Sequence, residues 1–207
     1  LPHAVAKLRS SYPKVHISLH QATPHEVARM VLEEQAEIGM ATESLADYPD
    51  LVTLPCYEWE HVLVVPPNHP LARKERIGLD DLAVEPLITY HPSFTGRGKL
   101  DAAFEARQLQ PRIVLEAIDS DVIKTYVRLG LGVGIVAEMA MAEPASADEL
   151  RVRPLGALFG SNVARIALKR GAYLRQFVYA FAELLSDRLD RQLIHTAMTG
   201  DATDYGL

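Results

Sequence analysis

Two hydroxyl-bearing stretches carry the residue types and spacing that could hold an anion. One, EPLITYHPSFTGRGKLD at residues 85–101, passes from a short apolar run, Leu87 and Ile88 ending at Tyr90, through Ser93, Thr95, Gly96 and Gly98 into a helix. The first amides of a helix have no intrahelical acceptor, and the helix dipole favours negative charge beside them. Thr95 and the amides near Gly96 and Gly98 could therefore act as donors. An ordinary helix start with a hydroxyl cap explains the same residues, and this stretch alone favours the cap. The second hydroxyl is Thr42, followed by Glu43, just past the carboxyl end of a short strand at residues 37–41, the edge where open α/β sheets collect ligands. Neutral hydroxyls and amides suit an oxyanion that is fully deprotonated at neutral pH, because such a ligand offers only acceptors. Arg97 is either a charge-assisted donor or a solvated side chain, and the residues leave both open. Gln21 and Thr23 could face the same site, although Thr23, Pro24 and Glu26 already spell a capping box.

Other chemistries find little support. Cys56 is the lone cysteine, so an internal disulfide is excluded, a reduced cytoplasm is the default compartment, and a small buried residue is the expected role. The eight histidines show no metal spacing, and no carboxylate pair or GxSxG elbow appears, so neither metal, cofactor nor enzyme activity is expected. Trp59 is a candidate for a hinge or pocket wall, with a buried structural aromatic as the commoner role. The formal charge of −6 argues that these residues do not themselves grip nucleic acid. No apolar run approaches the roughly 20 residues of a membrane helix, and the opening lacks the order of a signal peptide.

The 207 residues, 48% apolar and 23% charged, suffice for one large domain or two small ones. An amphipathic helix carrying Leu1, Val5 and Leu8 stops at Pro13, and residues 14–20 alternate Val15, Ile17 and Leu19 as a half-buried strand does. A helix from Pro24 and a strand at residues 37–41 follow. From Leu51 the pattern turns extended, punctuated by Pro55 and Pro66. Beyond it the spacing predicts a helical piece near residues 79–82, a strand from Pro86, a helix with Leu100, Ala103 and Phe104, a strand PRIVLEA, and a helix opened by Ser120 and Asp121. Gly130, Gly132 and Gly134 come after that helix and before a strand, so a helix end and close packing explain them better than a dinucleotide fingerprint. Residues 143–148 read as a polar loop and 151–155 and 163–169 as strands. One long helix then runs from Tyr173 through Phe177, Val178, Phe181 and Leu189, ahead of a frayed terminus. Crossings at residues 56–61 and 155–161 divide the chain into a discontinuous subdomain I, residues 1–55 and 162–207, and an inserted subdomain II, residues 62–155.

These strings together resemble the effector-binding domain of LysR-type transcriptional regulators. NHPLA at residues 68–72, EPLITY at 85–90 and RLGLGVGIV at 128–136 are the family-level marks. HQATP at 20–24, ATES at 41–44, LPCYEW at 54–59, FTGR at 94–97 and DSDVIKTYVRLGLGVG at 119–134 are similar to the CysB and Cbl branch. The resemblance implies an α/β fold of two periplasmic-binding-protein-like, Rossmann-like subdomains joined by two crossover strands, with a ligand cleft between them. It further implies a cytoplasmic homodimer or homotetramer that controls sulfur assimilation and cysteine biosynthesis. The implied ligands are sulfate or thiosulfate and O-acetylserine or N-acetylserine, contacted by Thr42 and Thr95 with Gly96 and Arg97 adjacent. The family's Thr-x-Thr-Gln anion loop, its first strand and the helix-turn-helix that reads DNA would all lie upstream of Leu1. A solute-binding protein delivering an oxyanion to a transporter is the alternative from another class, and a small-molecule enzyme is third.

Overall fold

The computed structural model describes residues 1–94, 96–141 and 149–200. Helices begin where a residue can meet the open amides. α1 (Pro2–Ser11) has proline in its first turn, and α2 (Pro24–Leu32) starts on a complete capping box: the Thr23 hydroxyl accepts from the Glu26 amide at 3.3 Å and the Glu26 carboxylate accepts from the Thr23 amide at 2.9 Å. α3 (Leu79–Ala83), α4 (Arg97–Ala106), α5 (Ser120–Arg128), α6 (Gly156–Phe159), α7 (Gln176–Leu185) and α8 (Arg191–Thr199) follow. The strands are β1 (Gly39–Ala41), β2 (Leu51–Val65), β3 (Pro86–Tyr90), β4 (Arg112–Ala117), β5 (Val133–Ala137), β6 (Arg151–Pro154) and β7 (Ser161–Lys169). Their order is β1-β7-β2-β5-β3-β4, with β6 also on β2, a mixed α/β sheet. The chain separates into two compact units, Leu1–Glu58 with Val163–Leu207, and Trp59–Asn162.

In the first unit β1 runs antiparallel to β7, pairing Gly39 with Ala167 and Ala41 with Arg165. Val52, Leu54, Cys56, Ile166 and Leu168 pack against Val178 and Ala182 of α7 and Ile194 of α8. Three expectations change here. Residues 14–20 do not form a strand; Val15 and Ile17 are half-buried and their neighbours exposed, so the alternation is real, but a strand also needs a ladder partner. Pro55 does not interrupt β2, which continues to Val65, since a missing amide is tolerated where the ladder does not require it. The long C-terminal helix is two helices. At the break the Ser186 hydroxyl donates to the Cys56 carbonyl at 2.6 Å and accepts from the Arg188 amide at 3.3 Å, while Asp190 caps α8 by accepting from the Leu193 amide at 2.7 Å. Such local bonds compete with helix continuation.

In the second unit β3 lies between β4 and β5 and is parallel to both, whereas β2 is antiparallel to β5 and β6. Leu100 and Phe104 of α4 join Leu63, Leu87 and Ile135 on one face, and Ile123 and Val127 of α5 join Val64, Ile88 and Val136 on the other. The connections leaving β3 and β4 therefore depart to opposite faces, which opens a crevice at strand ends in α/β sheets. The expected crossing at residues 155–161 contains α6, which belongs to this unit. Residues 143–148 and the terminus from residue 201 fall outside the described residues.

The glycine run is structural, as its place after a helix suggested. Gly130 takes φ +79° beyond the end of α5 and donates to the Val127 carbonyl at 2.9 Å. A Cβ on Gly134 would stand 2.6 Å from Val64 and 2.8 Å from Val127, so Gly134→Ala should cost about 1 to 3 kcal/mol by overpacking, measured by urea unfolding. On the other face of the sheet, His61 of β2 packs against Phe159 and is 1% exposed. Burial, reinforced by the Lys99 charge, pushes its imidazole down to about 4. Between about 6.5 and about 4 the unfolded chain gains a proton that the folded one refuses, so this residue makes stability fall as pH falls through that window, by about 3 kcal/mol. Urea melts across that range should show a shallower pH slope for His61→Phe than for wild type.

Candidate functional site

α4 is the element that follows β3 in the chain. Gly96 is the N-cap, in a left-handed conformation at φ +84°, and no carboxylate lies in the first turn, which reads Arg97, Gly98, Lys99. The amides of that turn have no acceptor within the helix, and that of Arg97 donates to the Phe94 carbonyl at 3.3 Å. Arg97 anchors the turn instead of waving in solvent. It is buried, and its guanidinium donates to the Tyr90 carbonyl at 2.7 Å, to Glu116 at 2.7 Å and to Asp101 at 2.8 Å. These bonds tie α4 to the carboxyl ends of β3 and β4, while Asp101 and Glu116 hold the guanidinium in its charged form against burial. Its positive charge is thus largely answered within the protein, so the amides remain the principal donors of the turn. Ser93, on the preceding loop, is tied to His91: its amide donates to His91 Nδ1 at 3.2 Å, which makes that nitrogen the acceptor for its hydroxyl at 2.7 Å. Thr95 lies outside the described residues.

Trp59 and His61 back this turn. A Cβ on Gly96 would fall 2.5 Å from the Trp59 ring and 3.0 Å from His61 Nε2. The two rings meet edge to face, 5.0 Å between centroids, and His61 meets Phe159 of α6 likewise at 5.5 Å. Trp59 is 6% exposed, a buried aromatic and at the same time a wall against the N-cap. His61 is a residue that sequence patterns do not single out, because the spacing of the histidines speaks only to metal binding. Its signal was a single ionisable side chain at the head of the apolar run HVLVV.

The remaining candidates belong to the first unit. Thr42 is buried, 5% exposed, at the end of β1; its carbonyl accepts from the Leu45 amide at 3.1 Å, but its side chain makes no capping bond to the 3-10 turn Glu43–Asp47. Thr23 is committed to its cap, its amide and, at 2.8 Å, its hydroxyl both donating to the Glu26 carboxylate, which lowers that carboxyl. Gln21 is exposed nearby on the segment leading into α2. The structure therefore brings Gly96 and Arg97 together with Trp59 in one unit and places Thr42, Gln21 and Thr23 in the other. Burial pushes the Cys56 thiol up to about 11, far from a nucleophile's range. Among the described residues no group of His, Cys, Asp and Glu is placed to hold a metal ion.

Comparison with known proteins places this geometry. Residues 1–190 match the model of the LysR substrate binding domain. The transcriptional regulator CysB of Burkholderia cenocepacia is 54% identical over the whole chain, which covers 66% of that relative. SsuR of the same organism is 43% identical over 92% of the chain and 61% of the relative, and Cbl of Escherichia coli is 42% identical over 89% of the chain and 58% of the relative. The chain thus spans about two thirds or less of the curated relatives it matches. The cofactor-binding domain of the Cbl regulator superposes with a TM-score of 0.88 at 39% identity, covering 97% of this chain and 88% of that one. The effector domain of QuiR in complex with shikimate, at 20% identity and TM-score 0.75, shares the fold. The chain belongs to the LysR substrate-binding-domain family, the effector-binding portion of LysR-type transcriptional regulators.

Proposed function

We propose that this chain is the inducer-binding domain of a cytoplasmic regulator of sulfur assimilation and cysteine biosynthesis, and that it recognises sulfate or thiosulfate and acetylserine-type inducers. The observation that carries this reading is the joint similarity to CysB, SsuR and Cbl at 42 to 54% identity. The local chemistry agrees with it: α4 opens on an αL glycine without a carboxylate in its first turn, and Thr42 offers a buried hydroxyl with no capping duty. Neutral donors suit a dianion, because a small deprotonated oxyanion asks for donors and is repelled by acceptors. The residues assigned to recognition are Thr95, Gly96 and the amides after it, with Arg97 fixing the turn, and Thr42, with Gln21 and Thr23 in lesser roles.

DNA contact belongs to a helix-turn-helix outside this chain, and assembly to a homodimer or homotetramer follows from the same reading. Family membership favours a regulator over a transporter-delivery protein, and it assigns the chain to binding, not turnover.

Calorimetric titration with sulfate, thiosulfate, O-acetylserine and N-acetylserine tests the proposal, which expects saturable binding of at least one anion. Thr42→Ala and Thr95→Ala should each weaken anion binding by about 1 to 3 kcal/mol, the range for leaving a buried partner unsatisfied. Unchanged affinity in both variants would move the site elsewhere.

A further inference from the structure

His61 is buried to within 1% of its surface, yet its Nδ1 has no hydrogen-bond partner. Its surroundings are Trp59 on one side, Phe159 on the other and the Gly96 backbone ahead of Nε2. An uncharged imidazole carries a single N–H, so one nitrogen is a donor and the other a lone pair. Which nitrogen holds the proton follows from cost. A buried N–H without an acceptor is rarer in proteins than a buried acceptor without a donor, so the unpartnered Nδ1 is the lone-pair position and the proton sits on Nε2. That nitrogen, unlike Nδ1, is not left as a buried atom without a partner, and it stands 3.0 Å from where a Cβ would project from Gly96, the N-cap of α4. The N–H therefore faces the same helix end whose amides open the first turn.

We infer that His61 is a recognition residue of the α4 site, its Nε2–H donating to an oxygen of an oxyanion held at the first turn of α4. The inference rests on the anion-site reading above and adds a donor to it. Because burial holds the imidazole neutral, it contributes a directed hydrogen bond without a mobile charge, in keeping with a site that reads acceptors. It also gives an ionisable side chain in an otherwise apolar part of β2 a role, that of supplying one N–H donor.

The test pairs the intact chain with two variants and uses sulfate and thiosulfate as probes. His61→Phe keeps a ring between Trp59 and Phe159 but removes the donor, and His61→Gln retains an N–H. Calorimetry should show affinity at least tenfold weaker in His61→Phe and an intermediate loss in His61→Gln, with both variants giving cooperative thermal melts. Long-range nitrogen NMR on the wild-type imidazole should find the proton on Nε2, and its resonance should move saturably as thiosulfate is added. A proton found on Nδ1 overturns the inference whether or not an anion binds and whether or not the variants fold. His61→Phe binding as tightly as wild type overturns the inference alone and leaves the anion site standing. Wild-type protein that binds neither anion overturns the site reading and this donor with it.

Discussion

The second unit depends on the absence of a side chain at Gly96. Its φ of +84° is a conformation that L side chains rarely adopt, and the place a Cβ would occupy is already filled by Trp59 and His61. Because the backbone can close to this distance, α4 begins directly against β2, and Arg97 reaches back to the ends of β3 and β4. A larger residue would have to push α4 outward, breaking the Arg97 bonds and exposing the aromatic pair. One close approach thus sets the direction of a helix end, the burial of a guanidinium and the setting of a histidine.

Those consequences share an electrostatic logic. The two buried cations of the second unit are already spent on the protein: Arg97 on Asp101 and Glu116, and Lys124 on Asp121 and the Ala140 carbonyl. The start of α4 adds oriented N–H groups with a helix dipole behind them, beside Lys99, whose ammonium donates to the Ser161 carbonyl. Such donors are fixed before a ligand arrives, so they discriminate by geometry and protonation state instead of by net charge. That would suit the proposed role of telling one small oxyanion from other anions.

Much of this was legible in the chain. Thr23, Pro24 and Glu26 announced α2 and its capping box, and Gly130 to Gly134 announced a helix end followed by a tightly packed strand, because capping and close approach are local matters. The strings at residues 41–44, 54–59 and 94–97 carried the family. What was not legible depended on tertiary partners. The alternation at residues 14–20 says which face is buried but not whether a neighbouring strand is there to pair. The apolar period after Tyr173 cannot show that the Ser186 hydroxyl finds the Cys56 carbonyl. Arg97 beside glycines looks solvated until Glu116 and the Tyr90 carbonyl are brought beside it, and His61 looks like filler until Gly96 closes on it.

The central claim is that the first turn of α4 is where this domain meets its anion. The most direct measurement is an amide NMR titration of the chain with thiosulfate. Saturable shifts concentrated at Gly96, Arg97, Gly98 and Lys99 are the result this account predicts. Shifts that grow linearly and scatter over exposed lysines and arginines, with the α4 amides unmoved, would contradict it.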